Sequence, residues 1–198
     1  MKKQHLILLF TVLIVVLVFL DQWLKIWVKT NMSIYENMPL LGNWFGLHFV
    51  ENEGMAFGLS WGANSGKLAL TLLRIVLSAA LIYYVIKKIK ENKSSFLVVT
   101  IFALVIAGAI GNVLDSIFYG VIFNASTPDT IAVAFPPEGG YSGYFYGSVV
   151  DMFSVQLFPI PEWVPGFGGS WFFPAIFNVA DSCVTVGIIL MLIFNKRI

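Results

Sequence analysis

Leu6-Ile-Leu-Leu-Phe10-Thr-Val-Leu-Ile-Val15-Val-Leu-Val-Phe-Leu20-Asp21-Gln22-Trp23-Leu24-Lys25-Ile26-Trp27-Val28 is the stretch that decides the fold class. From Leu6 to Leu20 it carries no charge, and its apolar positions keep helical spacing on through Trp27, which makes it long enough to cross a bilayer. Lys2 and Lys3 ahead of it give it the outline of a secretory signal, but no small-residue cleavage site follows, so it reads as a retained first span. The rest of the chain agrees. Its 198 residues are 58% hydrophobic and 12% charged, with a mean hydropathy of +0.84, outside the range of soluble globular domains.

Farther along the chain, the hydropathy predicts an all-α polytopic membrane protein with four transmembrane helices, at about 6–28, about 68–86, about 96–118 and about 174–194. Outer loops of about 30–67 and about 119–173 complete a single membrane domain over 1–198. Lys2, Lys3, Lys87, Lys88, Lys90, Lys93, Lys196 and Arg197 hold eight of the twelve basic residues, and the segment from Tyr119 to Phe173 holds none. The positive-inside rule therefore puts both termini and the short middle loop in the cytoplasm, and both long loops outside. Trp44, Trp61, Trp163 and Trp171 in those loops suit an aromatic belt at the outer interface. Gly46-Leu-His-Phe-Val-Glu-Asn52 alternates partly and predicts a small extracytoplasmic sheet, with Glu51 and Glu53 solvated.

Charges inside the spans are few and placed at one level. At about 1.5 Å of rise per residue, Asp21, Arg74, Asp115 and Asp181 fall about 18 to 28 Å above the cytoplasmic ends of their helices. Ionisable side chains in hydrocarbon mark functional sites, and a proton or ion path would need them at successive depths. Four at one depth describe a pocket opening outward. Transport is disfavoured on that ground, because duplicated halves are absent too, and a non-catalytic scaffold would have no use for buried carboxylates.

Asn112-Val-Leu-Asp115 and Asn178-Val-Ala-Asp181 each set an amide three residues before a carboxylate, on one helix face. Gly108, Gly111, Ala175 and Ala180 are small enough for close helix approach. Asp151, in Gly147-Ser-Val-Val-Asp-Met-Phe153, lies on a short apolar strand or interfacial segment that could meet Asp181. Two carboxylates sharing a site repel, so one holds a proton while the other is ionised; together they can activate water against a peptide carbonyl. Other chemistries are poorly supplied. His5 and His48 form no H-E-x-x-H pattern and no metal is expected. Lys25 or Lys67 could join a serine, but no spacing selects a pair. Cys183, the single cysteine, permits no intrachain disulfide and reads as packing. A net charge of +1 without a basic cluster interleaved with aromatics excludes nucleic acid as a partner.

Asp21-Gln22-x-x-Lys25, Asn52-Glu-Gly54-Met-Ala56-Phe57-Gly58-Leu59, Gly108-x-x-Gly111-Asn112-x-x-Asp115, Gly147-Ser-Val-Val-Asp151-Met-Phe153 and Phe177-Asn178-x-Ala180-Asp181-Ser182 occur in this order. In this the chain resembles the bacterial lipoprotein signal peptidases, or signal peptidase II, four-span aspartic peptidases with a small β cradle over the site. The resemblance implies that Asp151 and Asp181 are the catalytic pair, that Asn52, Gly54, Gly108, Asn112, Asp115, Asn178 and Ala180 line or brace the site, and that Asp21 and Lys25 are structural supports. It implies cleavage of diacylglyceryl-modified prolipoproteins just before the lipidated cysteine, in the bacterial cytoplasmic (inner) membrane among phospholipids; separately, a monomer is expected. Inhibition by globomycin follows as well, and no cofactor is expected.

Two departures stand out. The family usually carries an arginine where this chain has Ser116, and Arg74, at a compatible depth, is a candidate to replace it. The stretch between Asp115 and Asp151 is far longer than usual; its Gly- and Tyr-rich composition fits either a mobile aromatic flap or a tolerated surface insertion.

Overall fold

The computed structural model describes residues 2–53, 63–172 and 175–197. Helix α1 (Lys3–Asn31) is followed by the strands β1 (Asn37–Leu41) and β2 (Phe45–Asn52), then by α2 (Ala63–Lys90) and α3 (Phe96–Leu114). Helix α3 runs on through a π-helical turn, Asp115–Tyr119, into a last turn, α4 (Gly120–Ile122). After a long loop come β3 (Val149–Val155), β4 (Ile176–Phe177) and α5 (Val179–Ile193). Among the described residues, three helices are long and apolar enough to cross a membrane: Lys3–Asn31, Ser65–Lys90 and Phe96–Ile122. Among the described residues the fold is three long apolar helices with a small antiparallel sheet.

The expected last span differs. Hydropathy starts it at about residue 174, yet α5 begins at Val179 and has 15 residues. The reason is local. Ile176 and Phe177 pair with β3, and Asn178 then caps the helix: its side chain accepts from the Asp181 N–H while the Asp181 carboxylate accepts from the Asn178 N–H, a capping box. Helix α3 is started in a similar way, Ser95 accepting from the Val98 N–H at 3.3 Å. The other spans extend a turn or so past their predicted ends. Thr30 and Asn31 donate back to the carbonyls of Ile26 and Trp27, at 2.8 and 2.9 Å, and so finish α1.

Strand order is β1-β2-β3-β4, all antiparallel. Pro39 lies on the edge strand β1, where a missing N–H is tolerated. Two apolar clusters hold the molecule. One packs Leu6 and Phe10 of α1 with Val85 and Ile89 of α2 and Val99, Phe102 and Ile106 of α3. The other joins Val28 and Met32 at the end of α1 to Leu47, Phe49, Val150 and Met152 of the sheet and to Tyr119 and Phe123. Between them lies a layer of buried polar groups.

The long loop is hydrogen-bonded to the helix end it follows. Its N–H groups take up carbonyls released by the π-turn: Gly147 donates to Ser116 at 2.9 Å, Phe145 to Ile117 at 3.2 Å and Ser142 to Gly120 at 2.8 Å. The Tyr141 hydroxyl accepts from the Ser148 N–H at 2.7 Å, just before β3.

Candidate active site

The polar layer starts from α1, where Asp21, Lys25 and Lys29 recur every fourth residue on one face and are all buried. Lys25 Nζ lies 2.9 Å from the Asp21 carboxylate, 2.8 Å from that of Asp115 and 2.8 Å from Asn112 Oδ1. Asp21 also accepts from the Ala180 N–H at 2.8 Å, an orphan donor of the first turn of α5. Asp115 accepts from Gln22 Nε2 at 2.8 Å and from the Val150 N–H at 3.2 Å, which ties the end of α3 to the strand beside Asp151.

Asp151 and Asp181 are brought to opposite ends of an amide bridge. Asn178 Nδ2 donates to Asp151 Oδ1 at 2.7 Å and to Asn112 Oδ1 at 3.1 Å, and Asn112 Nδ2 donates to Asp181 Oδ1 at 2.8 Å. The sheet explains the first contact. Phe153 pairs with Phe177, so the next step of the chain sets Asn178 against the strand at Met152, one residue from Asp151. Asp151 pairs with Val50, and Asn52, two residues along β2 on the same face, reaches it diagonally, Nδ2 to Oδ2 at 3.3 Å. Burial first, and then the charge of Asp181, push the Asp151 carboxyl up to about 7; the hydrogen bonds from Asn52 and Asn178 and the charge of Lys25 oppose this.

Gly108 and Gly111 sit in the tight contact between α3, α5 and α1. A Cβ on Gly108 would collide with the Ala180 carbonyl and Val184, and one on Gly111 would stand 2.6 Å from the Asp21 carboxylate and 3.0 Å from the Ala180 Cβ. Their hydrogens let α3 and α5 approach closely enough for Asn112 to reach Asp181. Ala180 is buried in the same contact. Gly54 lies outside the described residues, as do Trp61 and the rest of its motif after Glu53. Arg74 is half-buried on α2, its guanidinium within electrostatic reach of Asp181, Asp151 and Asp115. Ser116 is buried and donates to the Asn112 carbonyl at 3.1 Å. Lys67 Nζ makes a long 3.4 Å contact with Ser148 Oγ.

Glu51 is not solvated as expected. It pairs with Lys29, its side chain is 13% exposed, and it accepts from Ser126 Oγ at 2.6 Å. The carboxylate is held there because the fully buried Lys29 ammonium needs a counter-charge in contact, and it lies over the rings of Phe123 and Tyr141, 5.5 and 5.0 Å from their centres. Sequence reasoning passes over Lys29 and Ser126 and quotes Gln22 only within the Asp21–Lys25 motif; the four-residue spacing from Asp21 through Lys25 is the available sign for Lys29. Among the described residues, no group of three or more His, Cys, Asp or Glu side chains could hold a metal ion.

A layer of carboxylates and amides is thus set at the ends of apolar helices and beneath a small sheet. The comparisons name the family. Residues 13–196 match the model for signal peptidase (SPase) II, and the chain belongs to that family. It is 46% identical over 189 residues to the lipoprotein signal peptidase of Porphyromonas gingivalis, covering 93% of this chain and 81% of that protein. It is 37% identical over 186 residues to that of Amoebophilus asiaticus, covering 91% and 74%. Its fold matches a bacterial membrane enzyme solved by the in meso method at 2.3 Å resolution, with a TM-score of 0.62, 24% identity, and coverage of 96% of this chain and 88% of that one.

Proposed function

We propose that the chain removes signal peptides from diacylglyceryl-modified prolipoproteins, cutting before the lipidated cysteine with water activated between Asp151 and Asp181. The observation that carries this reading is the amide bridge, Asp151 to Asn178 to Asn112 to Asp181, which holds two carboxyl groups at the mouth of an apolar bundle. Asp151, with its raised pKa, is the member that holds the proton; it stabilises the oxyanion and protonates the departing amine, while Asp181 takes a proton from the attacking water. Asn52, Asn112 and Asn178 orient the pair, and Gly54, in the motif that begins at Asn52, belongs to the site in this reading. Asp21, Lys25 and Asp115 fix the helices that carry it. Arg74 supplies the positive charge that Ser116 does not.

In this reading α5 is a fourth span, short because it starts below the sheet. Both termini lie in the cytoplasm, where the basic residues gather, and the site faces outward from the bacterial inner membrane. Residues 1–198 act as one peptidase domain. The working unit in this reading is a monomer surrounded by phospholipid. A globomycin-type peptide would occupy the cleft between Asp151 and Asp181. The test is processing of a lipid-modified prolipoprotein in vitro by wild type, Asp151→Asn and Asp181→Asn. Each variant should lose about 10²- to 10⁴-fold in rate. Turnover retained in either would reject the pair.

A further inference from the structure

Between Ser65 and Ile86 the only charged residues of α2 are Lys67 and Arg74, seven apart and so on one helix face. Thr71 and Ser78 continue that face. Both are buried, and their hydroxyls donate to the carbonyls of Lys67 and Arg74 at 2.9 and 2.8 Å, so the face is turned into the molecule. Its two cations are short of partners. Among the described residues the ion pairs engage Lys25, Lys29 and Lys93 and neither of these, and the half-buried Arg74 guanidinium donates no hydrogen bond. Lys67, also half-buried, has three N–H donors and uses one, in the long contact with Ser148 Oγ. Each keeps donors for a ligand.

An anion would fit badly beside them. Glu53 and Glu51 lie within electrostatic reach of Lys67, and Asp181, Asp151 and Asp115 within that of Arg74, so a further negative charge would meet those carboxylates. A neutral oxygen acceptor takes the donors without that repulsion.

Position narrows the choice of acceptor. Arg74 acts at the level of the carboxylate pair, and Lys67 stands two turns, about 10 Å, nearer the outward end of α2 in the orientation proposed above. Ser148, which Lys67 touches, precedes Asp151 by three residues of extended chain, again about 10 Å. Both paths set the ammonium off from the reacting bond by a distance comparable with the reach of a cysteine thioether and the glycerol it carries.

We propose that Lys67 recognises the lipid modification itself, its ammonium donating to an ester carbonyl oxygen of the diacylglyceryl group on the substrate cysteine, which makes it a specificity-determining residue. This rests on the prolipoprotein reading above. Phospholipid esters present the same oxygen chemistry, and the test separates the two sources.

The full chain is assayed in detergent micelles free of phospholipid, with two prolipoprotein peptides that differ only in the lipid on the cysteine: one diacylglyceryl, with ester carbonyls, and one dialkylglyceryl, with ethers. In the wild type the ether form should show a KM about 10-fold higher. Lys67→Met should raise the KM of the ester form by the same factor and scarcely change that of the ether form, whereas Lys67→Arg, which keeps charged donors, should restore the preference. The ratio between the two peptides is taken within one preparation, so a variant that folds only in part still reports, and the wild-type comparison needs no variant. A Lys67→Met protein that raises both KM values equally, or neither, overturns the proposal. So does an ester preference that appears only after ester phospholipid is added, which would make lipid the partner. Processing of both peptides by the wild type with equal KM overturns this inference alone; processing of neither overturns the prolipoprotein reading and this inference with it.

Discussion

Lys25 and Lys29 are both fully buried and sit one turn apart on α1, yet they keep different company. Lys25 serves two carboxylates, Asp21 and Asp115, and the amide of Asn112, so it touches helices α1 and α3 and, through Asp21, the start of α5. Lys29 pairs with one carboxylate, Glu51, together with Ser126 and two aromatic faces, all in the sheet and the long loop. A buried ion pair brings little net stability against an apolar alternative, whereas removing one partner is expensive. The first lysine fixes the relative position of the helices that present Asn112 and Asp181. The second bolts a loop to the roof.

Lys25→Met should separate the two most. It strands two fully buried carboxylates, and the expected loss is about 3–5 kcal/mol, read as thermal unfolding in detergent, with turnover falling alongside. A pH profile draws the contrast more finely. Asp151 must keep its proton, so kcat/KM should fall tenfold per unit as pH rises past about 7 in the wild type. Lys25 is among the largest influences that hold the Asp151 value down, and Lys29 does not figure among them. Removing the Lys25 cation favours the protonated acid, so the alkaline limb should move to higher pH in whatever Lys25→Met folds, and stay in place in Lys29→Met. A limb that shifts equally in both would show that the two lysines act as one field. Lys29→Met itself leaves one partly exposed carboxylate and should cost about 1–3 kcal/mol, with kcat/KM nearly unchanged at pH 6. Ser126→Ala removes only a neutral donor to Glu51, and about 0.5–1.5 kcal/mol in the same melting assay is the smallest effect expected.

Much of the site is legible in the sequence because its groups repeat at helical spacing. Asn112 with Asp115, Asn178 with Asp181, and Asp21 with Lys25 are each three or four residues apart, a separation that puts side chains on one face whatever the tertiary fold. The strand character of the Asp151 segment stays open at that level, since a short apolar run has no decisive period. The α5 start escapes because Ile176 and Phe177 look helical by hydropathy, and only pairing with β3 takes them into the sheet. Glu51 misleads for a related reason: its partner Lys29 is 22 residues away, and the third member, Ser126, is 75 away. Nor does any local pattern announce that the π-turn leaves carbonyls for the long loop to cover.

The register of Phe153 against Phe177 acts as a gauge block. From that pairing, two residues back along β3 give Asp151 and four residues on give Asp181, so the gap between the acids is set by one strand pair and one helix cap. Residues 123–147 and 157–172 both hang outside that short path. Loop length on either side can therefore drift without retuning the chemistry, while a single deletion between Phe177 and Asp181 would throw the two acids out of gauge.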